Sequence, residues 1–199
     1  MHVEEIPCEL DPKVFSDADT RSPGLHLSNV TRPLGNALGM TDYGDNDPTD
    51  FTKDPLRTRV ALGFIWENFI EAEMCRVSIR DSDGSIFRPP EIERDGIACS
   101  PDAFDINLPG IREYKCTSKS SRHGVDDDVK HWAWWTQIKS YCHVLEVDRC
   151  ILQVMWLSSD YDKKDPGPEM KAYRSEFTER ELKENWDMVV KYARSKGML

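Results

Sequence analysis

Asp102, Glu113 and Lys115 are the residues of this chain whose types and spacing can do chemistry together. They fall within Ser100 to Lys115, which reads S-P-D-A-F-D-I-N-L-P-G-I-R-E-Y-K. Ile111 to Cys116 suits a strand, in which alternate side chains share a face, so Glu113 and Lys115 point one way and Tyr114 the other. Asn107, Pro109 and Gly110 make the intervening segment a short turn that returns Asp102 beside them on an antiparallel neighbour. Two carboxylates at one point repel unless a cation lies between them, and hard oxygen donors favour Mg2+ or Mn2+. A lysine beside such an ion can hold and polarise a water or a phosphate oxygen. That set is suited to phosphodiester hydrolysis.

The flanking elements must hold these groups in place. Arg57 to about Ile79 has a helical pattern, with Glu67 on the side of Val60, Gly63, Phe64 and Met74, where a carboxylate is unusual unless paired or ligating. Arg94 to Phe104 is expected as the strand bearing Asp102, with Asp95 and Asp105 as rival carboxylates nearby. Beyond Lys115, the small-residue basic loop Cys116 to Gly124 offers the hydroxyls of Thr117 and Ser118 to phosphates, or serves as a solvated linker. A helix opening at Asp126, Asp127 and Asp128 and running to about Glu146 buries Trp134, Ile138, Tyr141 and Leu145 and sets Gln137 and Tyr141 on one face. Arg149 to Leu157 is apolar enough for a strand buried on both faces. Met170 to Phe177 reads as an outer strand. Thr178-Glu179-Arg180-Glu181 is a capping box for a last helix that buries Leu182, Trp186, Val189 and Val190.

Pro101-Asp102 followed by Glu113-Tyr114-Lys115 resembles the signature of the PD-(D/E)XK nucleases. The wider wording, Ser-Pro-Asp and Glu-Tyr-Lys-Cys-Thr-Ser, is most similar to the lambda-type viral alkaline exonucleases within the RecB-like group. Gly63-Phe64-Ile65-Trp66-Glu67 matches their G-x-x-x-E element, and Gln137 with Tyr141 matches their Q-x-x-x-Y element. Each motif is weak alone, and the four stand in the family order, within a matching span from about Ser28 to Leu157. The resemblance implies an α/β (α+β) fold with a restriction-endonuclease-like core. Its central mixed β-sheet is flanked by helices in the order α-β-β-β-α-β.

The resemblance also assigns roles. Asp102, Glu113 and the Tyr114 backbone carbonyl would bind the principal metal, with Glu67 completing the site directly, through water or at a second ion. Lys115 would position and help activate water, with Gln137 orienting the water or Lys115, while Tyr141 would lie near the DNA backbone. Ser28 and Arg32 would grip a terminal 5′-phosphate; on the residues alone, Ser28 caps a short helix and Arg32 is a surface arginine one turn later. The activity implied is a Mg2+- or Mn2+-dependent exonuclease acting on duplex DNA ends in viral recombination, with one or two ions. A ring-shaped homo-oligomer and a single-strand annealing partner are implied as well. A structure-specific or restriction-like endonuclease is the alternative within the fold. A silent binding module and a small phosphate-ester hydrolase are the alternatives outside it.

The 199 residues suit one domain over 25–199, preceded by an irregular arm over 1–24 that carries Pro7, Pro12 and Pro23. A formal net charge of −10 argues against a protein that coats nucleic acid through a broad basic surface, although it leaves room for a local basic groove. No apolar run approaches membrane-spanning length, and Glu4, Glu5 and Glu9 do not fit a signal peptide, so an intracellular, cytoplasmic protein is expected. The six cysteines are scattered with no C-x-x-C pair, which fits free thiols. None follows Cys150, so the iron–sulfur cluster of some RecB-like relatives is not expected. The Asp-, Gly- and Pro-rich stretch from Thr41 to Pro55 reads as a loop bordering the DNA channel, and Asp81-Ser82-Asp83-Gly84 as a hairpin turn.

Overall fold

The computed structural model describes residues 2–6, 24–40, 66, 69, 86–125, 131–158, 160 and 167–199. In chain order the elements are β1 (His2–Ile6), α1 (Leu27–Ala37), β2 (Ile86–Phe87), β3 (Ile92–Arg94), β4 (Ile97–Cys99), β5 (Ala103–Asp105) and β6 (Gly110–Thr117). A short 3-10 turn (Ser121–His123), α2 (Trp132–Leu145), β7 (Arg149–Trp156), β8 (Glu169–Glu176) and α3 (Glu179–Ser195) complete them. Six strands form one mixed sheet in the order β1-β8-β7-β6-β5-β2, while β3 and β4 pair separately. Among the described residues, β6 and β7 are the only pair that runs parallel within it. A parallel pair needs a crossover, and α2 supplies it.

The apolar pattern of the central strands decides what covers each face. Ile111, Cys150, Leu152, Val154 and Trp156 face one side, where they bury against Leu27 and Val30 of α1, Ile138 of α2 and Trp186 and Val189 of α3. On the other side Tyr114 and Ala103 bury against Trp66 and Phe69, two helical residues whose rings stack 5.6 Å apart. The result is a mixed α/β architecture with a central sheet flanked by helices. Among the described residues, no helix is long and apolar enough to cross a membrane.

Several sequence expectations change. His2–Ile6 is a strand, not part of an irregular arm, because the free edge of β8 pairs with its backbone and an edge strand tolerates the exposed Glu4. That pairing also makes β8 an interior strand instead of an outer one. The expected strand from Arg94 to Phe104 is broken into the end of β3, β4 and the start of β5: the chain turns at Asp95-Gly96, and Pro101, which cannot donate to a ladder, lies between β4 and β5. The helix expected from Asp126 begins at Trp132, with His131 as its N-cap. Ser28 does not cap α1: His26 does, its N–H donating to Asn29 Oδ1 at 3.1 Å, and Ser28 lies inside the first turn. Thr178 and Glu181 form the anticipated capping box on α3. Apart from Trp66 and Phe69, the helix over 57–79 lies outside the described residues, as do the 41–55 loop, the 81–84 turn and Asp126 to Asp128.

Candidate active site

β6 divides its side chains between the two faces as a strand must, leaving Glu113 and Lys115 on the side covered by α2. Glu113 is 1% exposed, among the most deeply buried side chains of the chain. A buried carboxylate is costly unless paired, and Lys115 Nζ stands 2.5 Å from Glu113 Oε1. The same ammonium donates to Gln137 Oε1 at 3.1 Å. Gln137 in turn donates through Nε2 to the Tyr141 hydroxyl at 2.8 Å, which fixes the amide with its oxygen toward the lysine.

Asp102 arrives from the other side of β6. Ala103 pairs with Arg112, so a continued β5 would set Pro101 opposite Tyr114. The ladder stops there, and Asp102 takes it over with a side chain: Tyr114 N–H donates to Asp102 Oδ2 at 2.7 Å. Pro101 has no N–H to offer the Tyr114 carbonyl in return. Proline before the aspartate therefore keeps that carbonyl out of a strand ladder on this side.

The Tyr141 phenol is buried beside Gln137. Burial first, then the negative charges of Glu113 and Asp102, hold it well above its ordinary value near 10, partly offset by the Gln137 hydrogen bond. Asp102, Glu113, Lys115, Gln137 and Tyr141 are thus brought together at the end of β6. The two rival carboxylates are occupied elsewhere. Asp105 accepts from the Asn107 and Leu108 N–H groups at 3.0 and 3.1 Å and takes Arg112 through Nε and Nη2 at 3.2 and 2.7 Å, which ties the β5–β6 hairpin. Asp95, at a positive φ of 52° in the β3–β4 turn, accepts from Trp186 Nε1 at 2.8 Å.

The remaining predicted residues fall differently. Thr117 is on the Lys115 face of β6, half-buried, and its Oγ1 accepts from Lys119 N–H at 3.2 Å, while Ser118 is exposed. Ser28 and Arg32 are half-buried and share one face of α1. Glu67 lies outside the described residues. Tyr141 is 4% exposed with its hydroxyl turned inward, so it offers no surface to a DNA backbone. The sequence reading did not single out Arg112; its strand alternation opposite Glu113 is the signal that could have found it.

No family model matches the chain, and no curated protein matches it. Two solved structures overlay on it at low identity. The crystal structure of SSO0001 overlays with a TM-score of 0.46 at 12% identity, covering 91% of this chain and 78% of that one. A phage-related exonuclease from Haemophilus somnus 129PT overlays with a TM-score of 0.42 at 13% identity, covering 86% and 80% respectively.

The donor set suits a hard divalent cation. Glu113 pairs with the Lys115 ammonium, Asp102 is held on the Tyr114 amide, and the candidate ligands are all oxygens. Among the described residues no group of three or more His, Cys, Asp or Glu side chains converges on one point. Two carboxylates and a backbone carbonyl nonetheless fit Mg2+, which keeps several waters and takes substrate phosphate oxygens.

Proposed function

We propose that this protein is a divalent-metal-dependent DNA nuclease, acting as an exonuclease on duplex ends. The observation that carries the reading is the chain Tyr141–Gln137–Lys115–Glu113, set beside Asp102 on the Tyr114 amide. Such a network is an expensive way to build a core, since each buried polar member must be satisfied by the next. Its components are those that phosphodiester hydrolysis needs. The exonuclease form rests on the wording of Ser100 to Asp102 and Glu113 to Ser118, which resembles lambda-type enzymes.

In this reading Asp102, Glu113 and the Tyr114 carbonyl hold Mg2+ or Mn2+, with Glu67 completing the set directly, through water or at a second ion. When bound, the ion supplies charge neutralisation for the pentacovalent phosphate. Lys115 does the work that the chain itself must do. An ammonium has three donors. Glu113 and Gln137 fix the position of the ammonium, and in this reading it orients a water or a non-bridging phosphate oxygen. Gln137 keeps its oxygen toward Lys115 because Tyr141 holds the other end of the amide. Thr117 and Ser118 contact the DNA backbone at the mouth of the site, and Ser28 with Arg32 receives the terminal 5′-phosphate. A ring-shaped homo-oligomer and an annealing partner belong to the same proposal.

The test is digestion of end-labelled linear duplex and of closed circular DNA with Mg2+ and with EDTA. Wild-type protein should shorten the linear duplex only with Mg2+. Asp102→Ala and Lys115→Ala should each lose at least about 100-fold in rate. Wild-type rates in either variant would refute the nuclease, and rapid nicking of circles would refute the exonuclease form alone.

A further inference from the structure

The pair of strands β3 and β4 stands apart from the main sheet, and the chain leaves it directly for Asp102. Its last paired residues are Ile92 and Cys99. Continued by one residue, the register would oppose Glu91 to Ser100, and by a second, Pro90 to Pro101. Neither proline has an N–H, so the backbone ladder cannot go on. A side-chain bond takes over: Ser100 Oγ donates to Glu91 Oε2 at 2.7 Å.

Two residues further on, Asp102 Oδ2 accepts from the Tyr114 N–H at 2.7 Å. The chain therefore crosses from the small sheet to the large one between two side-chain rungs, with Pro101 between them. The proline ring fixes its φ at roughly −65°. Few torsions are left between Ser100 and Asp102, so holding the first restrains the second. Glu91 is itself held from the side of α1, where His26 Nδ1 lies 3.4 Å from the same Oε2. The backbone ties His26 down as well, through its bridge to Ala98 and through the Ala98 N–H, which donates to the Leu25 carbonyl at 2.8 Å. Glu91 is thus a shared anchor for the start of α1 and for the corner that delivers Asp102.

We infer that Glu91 is a positioning residue of the candidate active site, acting on Asp102 through Ser100. A carboxylate suits the task, since an ionised acceptor holds a hydroxyl more strongly than a neutral one. The His26 ring on the same oxygen keeps that acceptor in place. The consequence for metal binding rests on the proposed nuclease, in which Asp102 is a ligand. The hold on Asp102 does not rest on it, and it can be read in metal-free protein.

The first measurement is hydrogen exchange of the Tyr114 amide by NMR, on the full chain without metal. Glu91→Ala and Ser100→Ala should each speed it about fivefold, the worth of one hydrogen bond. The Leu152 and Val154 amides at the centre of the sheet should keep their wild-type rates. Both substitutions remove the same bond, so the double variant should exchange no faster than either single one. Glu91→Gln keeps an acceptor for Ser100 and should recover most of the protection. The second measurement is calorimetric titration with Mn2+, in which Glu91→Ala and Ser100→Ala should each bind about tenfold more weakly. Unchanged Tyr114 exchange in Glu91→Ala, additive effects in the double variant, or Glu91→Gln behaving as Glu91→Ala would each overturn the inference. Wild-type Mn2+ affinity in variants whose Tyr114 amide has loosened would overturn it too. Absence of Mn2+ binding by the wild-type protein would instead refute the proposed metal site, and Tyr114 exchange would still decide what Glu91 holds.

Discussion

The backbone N–H of Tyr114 donates to Oδ2 of Asp102 at 2.7 Å, so a side chain stands where a strand would have continued. Pro101 is the reason the strand does not continue. Pro101→Ala would restore an N–H opposite the Tyr114 carbonyl and let the ladder close over it. The fold should be kept, and affinity for Mn2+ measured by calorimetry should fall about tenfold, as for other changes next to ligating groups. Unchanged Mn2+ affinity would remove the carbonyl from the proposed ligand set.

Glu113 depends on Lys115 for charge compensation, being 1% exposed with the ammonium at 2.5 Å. Lys115→Ala should therefore destabilise the protein by about 3 kcal/mol, because it leaves a buried carboxylate uncompensated. Adding Glu113→Gln to that variant should recover part of the loss. Urea unfolding of the two single variants and the double variant gives the coupling directly. Additive losses would show that the pair is not the buried unit described.

Tyr141 acts on Lys115 at one remove, through the Gln137 amide. Tyr141→Phe removes one hydrogen bond, at a cost of about 1 kcal/mol, and frees the amide to turn over. A lower kcat with an unchanged KM for DNA is expected, since the ring is buried. A raised KM with unchanged kcat would return Tyr141 to the DNA surface.

Alkaline pH should weaken the fold. Burial, with Glu91 adding to it, pushes the Cys99 thiol up to about 12, and burial likewise raises Cys142, Cys150 and Tyr141. Groups raised in the folded state stay neutral there while their unfolded counterparts ionise. Their contribution is complete below about pH 8.5, the thiol value in the unfolded chain, and is lost as pH rises above it. Urea midpoints should decline steadily from pH 8 to pH 10.5, and less steeply in Cys99→Ala. A flat profile would contradict the burial of these groups.

Particular residues show how far the chain could be read unaided. Glu113 and Lys115 were legible because a strand's period of two is a property of the backbone, whatever surrounds it. Gln137 and Tyr141 followed from the helical repeat, and so did the α3 core and its capping box. His2–Ile6 was not legible: its pattern is that of a polar edge, and only the unpaired side of β8 makes it a strand. Asp105 could not be told from Asp102 as a site carboxylate on spacing alone. The hairpin N–H groups and Arg112 claim the one, and the Tyr114 amide claims the other.

Sequence by itself determined which side chains share a strand or helix face, since local dihedral periodicity is set residue by residue. Tertiary structure alone decided which faces meet: that α2 lowers Gln137 onto Lys115 and that Tyr141 turns inward. The physical reason is that burial, pairing and desolvation are properties of neighbours brought together across long stretches of chain. No local pattern encodes how a buried charge will be compensated until those neighbours are in place.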